Sequence, residues 1–180
     1  MNEHYFDIKE HIRTIPNWPK QGVMFRDISS LLENRLVFRR TIDLFVHRYF
    51  TTAIDAVVGI DARGFIIGAP LAYELNAGFI PVRKKGKLPG TTISKSYQLE
   101  YGEAEVEMQT DWLDGTMDVL LVDDLIATGG TMLAATALIK QLGANIVEAA
   151  AIIDLPDLGG SAKLRNAGLR VHTFCAFEGE

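Results

Sequence analysis

The segment Val119–Thr131, VLLVDDLIATGGT, constrains the fold more than any other part of this chain. Val119–Val122 is a short, almost wholly apolar run, as expected of a parallel strand covered on both faces. Asp123 and Asp124 end it. In open α/β sheets the ligand crevice lies at the carboxyl ends of the strands, so the two acids stand where a ligand would. Adjacent strand residues point to opposite faces, and a bend is therefore required if both are to meet one ligand. Ionised carboxylates only accept hydrogen bonds, which suits a vicinal diol. Ala127, Thr128, Gly129, Gly130 and Thr131 follow, small or hydroxylated residues whose glycines allow close backbone approach. Ala135, Leu138, Ile139 and Leu142 recur at helical spacing, with Gly143 as the stop. The loop thus opens a helix, and free amides at a helix N-terminus attract phosphate. The segment predicts a ligand carrying both sugar hydroxyls and a phosphate. The competing reading is a buried strand followed by an ordinary N-cap. Neither G-x-x-x-x-G-K-[ST] nor G-x-G-x-x-G occurs, so the usual nucleotide and dinucleotide fingerprints give no support.

The elements around this segment repeat its logic. Helical periodicity predicts a helix over about Leu36–Phe50, through Phe38, Ile42, Phe45 and Tyr49. Strands are expected at Ala56–Ile60, Gly78–Val82, Val119–Val122, Ile146–Ile153 and Leu169–Phe174. Helices are expected at Gly64–Leu75, Thr131–Leu142 and Ser161–Ala167. Tyr97–Tyr101 and Ala104–Met108 read as a hairpin around Gly102, after a polar, basic loop at Lys84–Lys95. A short helix is expected over about Tyr5–Thr14, and Pro19–Ser30 reads as an extended loop. Alternating strands and helices imply an α/β fold with an open, mostly parallel twisted sheet flanked by helices. The 180 residues are expected to form a single domain.

Composition excludes several classes. The formal net charge of -5 argues against a nucleic-acid partner. No apolar segment reaches membrane-spanning length, and the first residues do not resemble a signal peptide. The single cysteine, Cys175, forbids an intrachain disulfide and fits a cytoplasmic location; its apolar surroundings, Val171–Phe177, favour a core role. His4, His11, His47 and His172 have no metal-ligand spacing.

Three further constellations have two readings each. Ile60–Gly64 ends the first expected parallel strand, where Arg63 either forks onto an anion or is a plain surface arginine in a βα turn. Arg83, Lys84, Lys85 and Lys87 form a basic cluster, read as a solvated face or as an anion site in an otherwise acidic protein. Ser94–Gly102 reads as a closing lid with a hinge at Gly102, or as an exposed hairpin carrying Glu100 and Tyr101.

Val119–Thr131 resembles the phosphoribosyl-pyrophosphate (PRPP) signature of the type I phosphoribosyltransferases. Five further segments resemble the adenine phosphoribosyltransferase family within them: PKQGVMFRDIS (Pro19–Ser29), GIDARGFIIGAPLA (Gly59–Ala72), PVRKKGKLPG (Pro81–Gly90), SYQLEYG (Ser96–Gly102) and IIDLPDLGG (Ile152–Gly160). They cover most of the chain in the family's order. Gln21 stands where proline is frequent and Ile126 where leucine is common. The resemblance implies transfer of 5-phosphoribosyl from PRPP to N9 of adenine, giving AMP and pyrophosphate in purine salvage. It implies that Asp123 and Asp124 hold the ribose hydroxyls and Ala127–Thr131 the 5′-phosphate. Arg63, Arg83 and Lys87 (and, with less weight, Lys84) would orient the diphosphate, partly across a homodimer interface. Glu100 would handle the base proton as the catalytic residue, with Tyr101 beside it in the lid. Phe25 and Leu155 would cover the two faces of adenine, with backbone groups from Met24 to Arg26 reading its edge. Residues 1–35 would contribute a hood over the base. A non-proline cis peptide at Asp61–Ala62 is expected, as is Mg2+ carried mainly by PRPP and water, with no protein metal cage. Two rivals follow: a PRPP-sensing regulator without chemistry, and a transferase for another purine such as hypoxanthine or xanthine.

Overall fold

The computed structural model describes residues 6–98 and 102–179. The first described element is a 3-10 turn, Ile8–His11, capped by the Asp7 carboxylate, which accepts from Lys9 N. Strand β1 (Arg13–Pro16) follows and pairs antiparallel with β2 (Met24–Asp27) as a separate two-stranded sheet. Helices α1 (Ser29–Glu33) and α2 (Arg35–Tyr49) come next. The remaining elements are β3 (Ala56–Ile60), α3 (Arg63–Glu74), β4 (Gly78–Lys84), β5 (Thr92–Gln98), β6 (Glu103–Gln109), β7 (Asp118–Val122), β8 (Leu125–Ile126), α4 (Gly130–Gln141), β9 (Asn145–Asp154), α5 (Gly160–Asn166) and β10 (Val171–Ala176).

The large sheet runs β10-β9-β7-β3-β4-β6-β5. Its first five strands are mutually parallel, while β6 is antiparallel to β4 and β5 to β6. Strands β3 and β7 lie at its centre. Every residue of β3 is buried, as are Val119–Val122 of β7. Period-two alternation sends their side chains to two cores. Val58, Val119, Leu121, Ala149 and Ala151 pack under α4 with Ala135, Leu138 and Ile139. Val57, Leu120, Ala150 and Ile152 pack under α2 and α3 with Phe45, Ile67 and Leu71. Burial of this kind stabilises at roughly 25 cal/mol per Å2 of apolar surface.

Helix α2 starts where expected because the Asn34 side chain accepts from Leu36 N and Val37 N. Helix α4 ends at the expected Gly143, whose φ is +93°. Three expectations need correction. Of the helix expected over Tyr5–Thr14, Tyr5 lies outside the described residues and the rest holds only the 3-10 turn, because Arg13–Pro16 is drawn into pairing with β2. The loop at Pro19–Ser30 contains that partner strand and the start of α1. The basic loop of Lys84–Lys95 is shorter, since β4 extends to Lys84 and β5 begins at Thr92, opposite Gln109.

Candidate functional site

Strand β7 stops at Val122, and the chain bends through the two acids before pairing again as β8. Asp123 N donates to Ala150 O at 3.1 Å, and Asp124 O accepts from Ile152 N and Ile153 N at 3.0 and 3.1 Å. The Asp123 carboxylate turns back to accept from Asp124 N at 2.9 Å. This bend brings both carboxylates to one cavity, which strand alternation alone would forbid. The cavity has a volume of about 310 Å3 and is walled by Asp61, Ala62, Arg63, Lys84, Tyr97, Asp123, Asp124 and Thr131, among others. A second cavity of about 180 Å3 adjoins it, walled by Arg63, Asp123, Asp124 and the loop Ala127–Thr131.

The loop enters α4 through Gly129, whose φ of +79° is left-handed and disfavours a side chain. Leu133 N, the first donor inside the helix, bonds Gly129 O at 2.9 Å. Amides of the first turn have no partner within the helix, and they carry the positive end of its dipole. One wall of the paired cavities is therefore anionic and the other is an anion receptor. That combination fits a phosphorylated polyol.

Arg63 opens α3 beside the acids. Its Nε lies 2.6 Å from Asp124 Oδ2, and its guanidinium sits 5.6 Å from the centroid of the Phe25 ring. Asp124 is 3% exposed, and Oδ2 has no partner at hydrogen-bond geometry, so the pair is electrostatic contact rather than a formed bond. Asp123 keeps some open surface in the cavity but is densely surrounded by protein. Burial, then repulsion from Asp124, pushes its carboxyl well above the usual range, with Arg63 pulling the other way. The peptide Asp61–Ala62 in the same wall is cis, as expected. Gly64 is needed for this proximity: a Cβ there would stand 2.8 Å from Val122 O and 3.1 Å from Asp123 Oδ1.

Strand alternation sorts the basic cluster. Lys84 lines the larger cavity with Val82, two residues earlier. Arg83, between them, is not in that wall but bonds one of its residues, Nε donating to Asp61 Oδ2 at 3.0 Å and Nη1 to Lys87 O at 3.2 Å. Lys87 is exposed and is held by its backbone, N donating to Glu107 Oε1 at 2.8 Å. Neither Arg83 nor Lys87 walls either cavity.

The expected base-site residues lie outside these walls. Phe25 is half-buried and meets Trp18 edge to face at 4.3 Å. The Arg26 side chain is buried and structural, with Nη1 donating to Thr14 Oγ1 at 2.6 Å and Nη2 to Gly179 O at 3.2 Å. Leu155 is packed in the core on the α2 side, next to the signature loop through Leu155 N to Ile126 O at 3.0 Å. Glu100 and Tyr101 lie outside the described residues.

Two contributors escaped the sequence reading. Tyr97 of β5 joins the cavity wall, and its ring would stand 3.0 Å from a Cβ placed on Gly130. Gly160 presses on the loop from behind, donating its N to Ala127 O at 3.0 Å. Both sit within the SYQLEYG and IIDLPDLGG segments, but only the fold shows what they touch.

Residues 27–167 match the phosphoribosyl transferase domain family. The chain is 61% identical over 172 residues to an adenine phosphoribosyltransferase of Methylibium petroleiphilum, covering 96% of this chain and 88% of the relative. Its fold superposes with a TM-score of 0.88 on the crystal structure of adenine phosphoribosyltransferase from Rhodothermus marinus, at 43% identity, covering 94% and 96% of the two chains. It superposes with a TM-score of 0.84 on the Trypanosoma brucei enzyme in complex with AMP, pyrophosphate and ribose-5-phosphate, at 31% identity, covering 95% and 78%. With this domain match, these identities and this shared fold, the chain belongs to the adenine phosphoribosyltransferase family.

Proposed function

We propose that this chain transfers 5-phosphoribosyl from PRPP to N9 of adenine, giving AMP and pyrophosphate. The observation that carries the reading is the meeting of Asp123, Asp124 and the loop Ala127–Thr131 on two adjoining cavities. In this reading the two carboxylates accept from the ribose hydroxyls, and the amides and hydroxyls of the loop receive the 5′-phosphate. Arg63 leaves Asp124 for the diphosphate, joined by Lys84 from the cavity wall. Arg83 and Lys87, which do not wall their own chain's cavities, act at an interface between two copies of the chain. The C1′–N9 bond forms as the C1′–oxygen bond to diphosphate breaks. Holding the two reactants in line supplies much of the acceleration. The proton lost from adenine's imidazole edge passes to the Glu100 carboxylate, with Tyr101 closing over the sugar to exclude water. Phe25 stacks on the base, Leu155 covers its other face, and backbone groups from Met24 to Arg26 read its edge. Residues 1–35 form the hood over this site within one domain of 180 residues.

Mg2+ is the expected cofactor. The oxygen-only donors Asp123 and Asp124 suit a hard cation. Among the described residues, no group of three or more His, Cys, Asp or Glu forms a cage. In this reading the ion is held mainly by PRPP and water. When bound, it neutralises diphosphate charge and eases its departure. We place the protein in the cytoplasm as a homodimer; among the described residues no helix is long and apolar enough to cross a membrane.

The test is incubation of the purified protein with PRPP, Mg2+ and equal adenine, hypoxanthine and xanthine, with products identified by mass. AMP as the dominant product is expected. Absence of any nucleotide would overturn the enzyme reading, and dominance of IMP or XMP would overturn the choice of base.

A further inference from the structure

Three consecutive carbonyls of the signature loop are held from behind by one distant stretch of chain. Ile126 O accepts from Leu155 N at 3.0 Å and Ala127 O from Gly160 N at 3.0 Å. Thr128 O accepts from Lys163 Nζ at 3.2 Å. The end of β9, the following turn and the first turn of α5 thus form a rack on which the loop hangs. A carbonyl turned into an anion site repels the anion, so a loop that serves phosphate must keep its oxygens facing away.

Gly160 is the point of closest approach. A Cβ there would collide with Ala127 O and stand 2.7 Å from Gly129 N and 2.9 Å from Thr128 C. In return, a Cβ on Gly129 would stand 3.0 Å from Gly160 Cα. Two glycine backbones meet face to face. The atoms in the way are backbone, which cannot rotate aside like a flexible side chain. Gly160 opens α5 with no left-handed φ, in contrast to Gly159 at +72°, so space alone excludes a side chain. Lys163, one turn later and exposed, holds the next carbonyl.

We infer that Gly160 is a positioning residue for the 5′-phosphate, acting through the loop Ala127–Gly129, with Lys163 as its second support. This rests on the reading that the loop receives the phosphate. Neither residue touches substrate. Each keeps loop oxygens turned away so that the amides at the start of α4 face the anion.

The experiment has two arms. In the wild type, ribose 5-phosphate is titrated while the amide resonances of Gly130 and Thr131 are followed by NMR. In the variants, KM is measured separately for PRPP and adenine. Gly160→Ala is expected to raise the PRPP KM by about tenfold with little change in the adenine KM, as for loss of one positioned set of contacts. Lys163→Met, which removes only the hold on Thr128 O, is expected to raise it about threefold, with Lys163→Arg restoring the wild-type value. If the wild-type amides move but both variants keep the wild-type PRPP KM, the positioning role is wrong. Equal rises in both KM values would overturn it too, as they indicate general damage. If the wild-type amides do not move, the phosphate reading itself fails. Should Gly160→Ala not fold, an unchanged PRPP KM in Lys163→Met overturns the proposal alone.

Discussion

Arg63 Nε stands 2.6 Å from Asp124 Oδ2 while its guanidinium lies 5.6 Å from the Phe25 ring. One exposed side chain thereby links a buried acid at the end of β7 to an aromatic on β2. On the proposed reading this arginine leaves the acid when the sugar hydroxyls arrive. Arg63→Met should then raise the PRPP KM by about ten- to a hundredfold, since a charge-assisted contact is worth roughly 1.5–3 kcal/mol. Arg63→Lys should not restore it, because a point ammonium cannot imitate a planar fork. Steady-state kinetics with PRPP varied decides this, and a wild-type KM in Arg63→Met removes the residue from the diphosphate site.

Asp123 is held against its own ionisation. Burial, and then the neighbouring Asp124, raise its carboxyl well above the usual range. The folded protein therefore binds this proton more tightly than the unfolded chain does. The stability it contributes is complete below the unfolded carboxylate range near pH 4 and is lost as pH rises through the raised folded value. Asp123→Asn abolishes the titration. It should raise Tm at pH 8, where the wild-type carboxyl is under the greatest pressure to ionise against its burial. The gain should shrink toward pH 4.5. Activity should fall sharply in the same variant, the usual exchange of stability for a charged site. Thermal unfolding across that range tests the sign, and a pH-independent difference in Tm would sink it.

The acid pair, glycine loop and central strands were readable because their signals are local. Val119–Val122 is apolar on both faces, Gly129 takes the positive φ a tight loop entry demands, and Gly143 stops the helix. Strand β5 begins earlier than its sequence pattern suggests because TISKSYQ is largely exposed and mostly polar, so period-two alternation is faint. The family resemblance favours Arg83 over Lys84, although Lys84 shares a face with the inward Val82. The sign was the length of β4: two further strand residues set which cation faces the cavity. Gly160 had no local sign at all. Its necessity comes from a backbone contact with a loop more than thirty residues earlier, which only the packed sheet creates.

Cys175 should be inert in the folded protein. It is a free, half-buried cysteine whose Sγ lies 3.5 Å from Ile152 O. Burial pushes the thiol up to about 12, so the reactive thiolate is scarce at ordinary pH. A colourless disulfide reagent that releases a chromophore on thiol attack should report slow labelling of native protein at pH 8 and prompt labelling in denaturant. Rapid reaction of the native form would mean that the β10 strand opens far more readily than its packing implies.

Glu148 is the charged centre of the face opposite α4. A register shift in the β7–β9 pairing, between Ile146 and Glu148, turns it toward α2. There it accepts from Arg48 Nε at 2.7 Å, Arg48 Nη2 at 3.0 Å and Tyr49 Oη at 2.6 Å. Burial alone would raise its carboxyl, but the bonds from Arg48 and Tyr49 outweigh it and leave the group below its ordinary value. The sign is opposite to that of Asp123. This stability is present above the unfolded carboxylate range and is lost as pH falls through the depressed folded value. Glu148→Ala leaves the buried Tyr49 hydroxyl without its acceptor, so a loss of about 1–3 kcal/mol is expected at pH 7. Glu148→Gln should keep an acceptor for Tyr49 but lose the charge, and its deficit relative to wild type should close as pH falls below about 4. Denaturant titrations at pH 7 and at acid pH separate the two effects. A Glu148→Gln deficit of equal size at both pH values would show that shape, and not charge, is what the β9 bulge presents to Arg48.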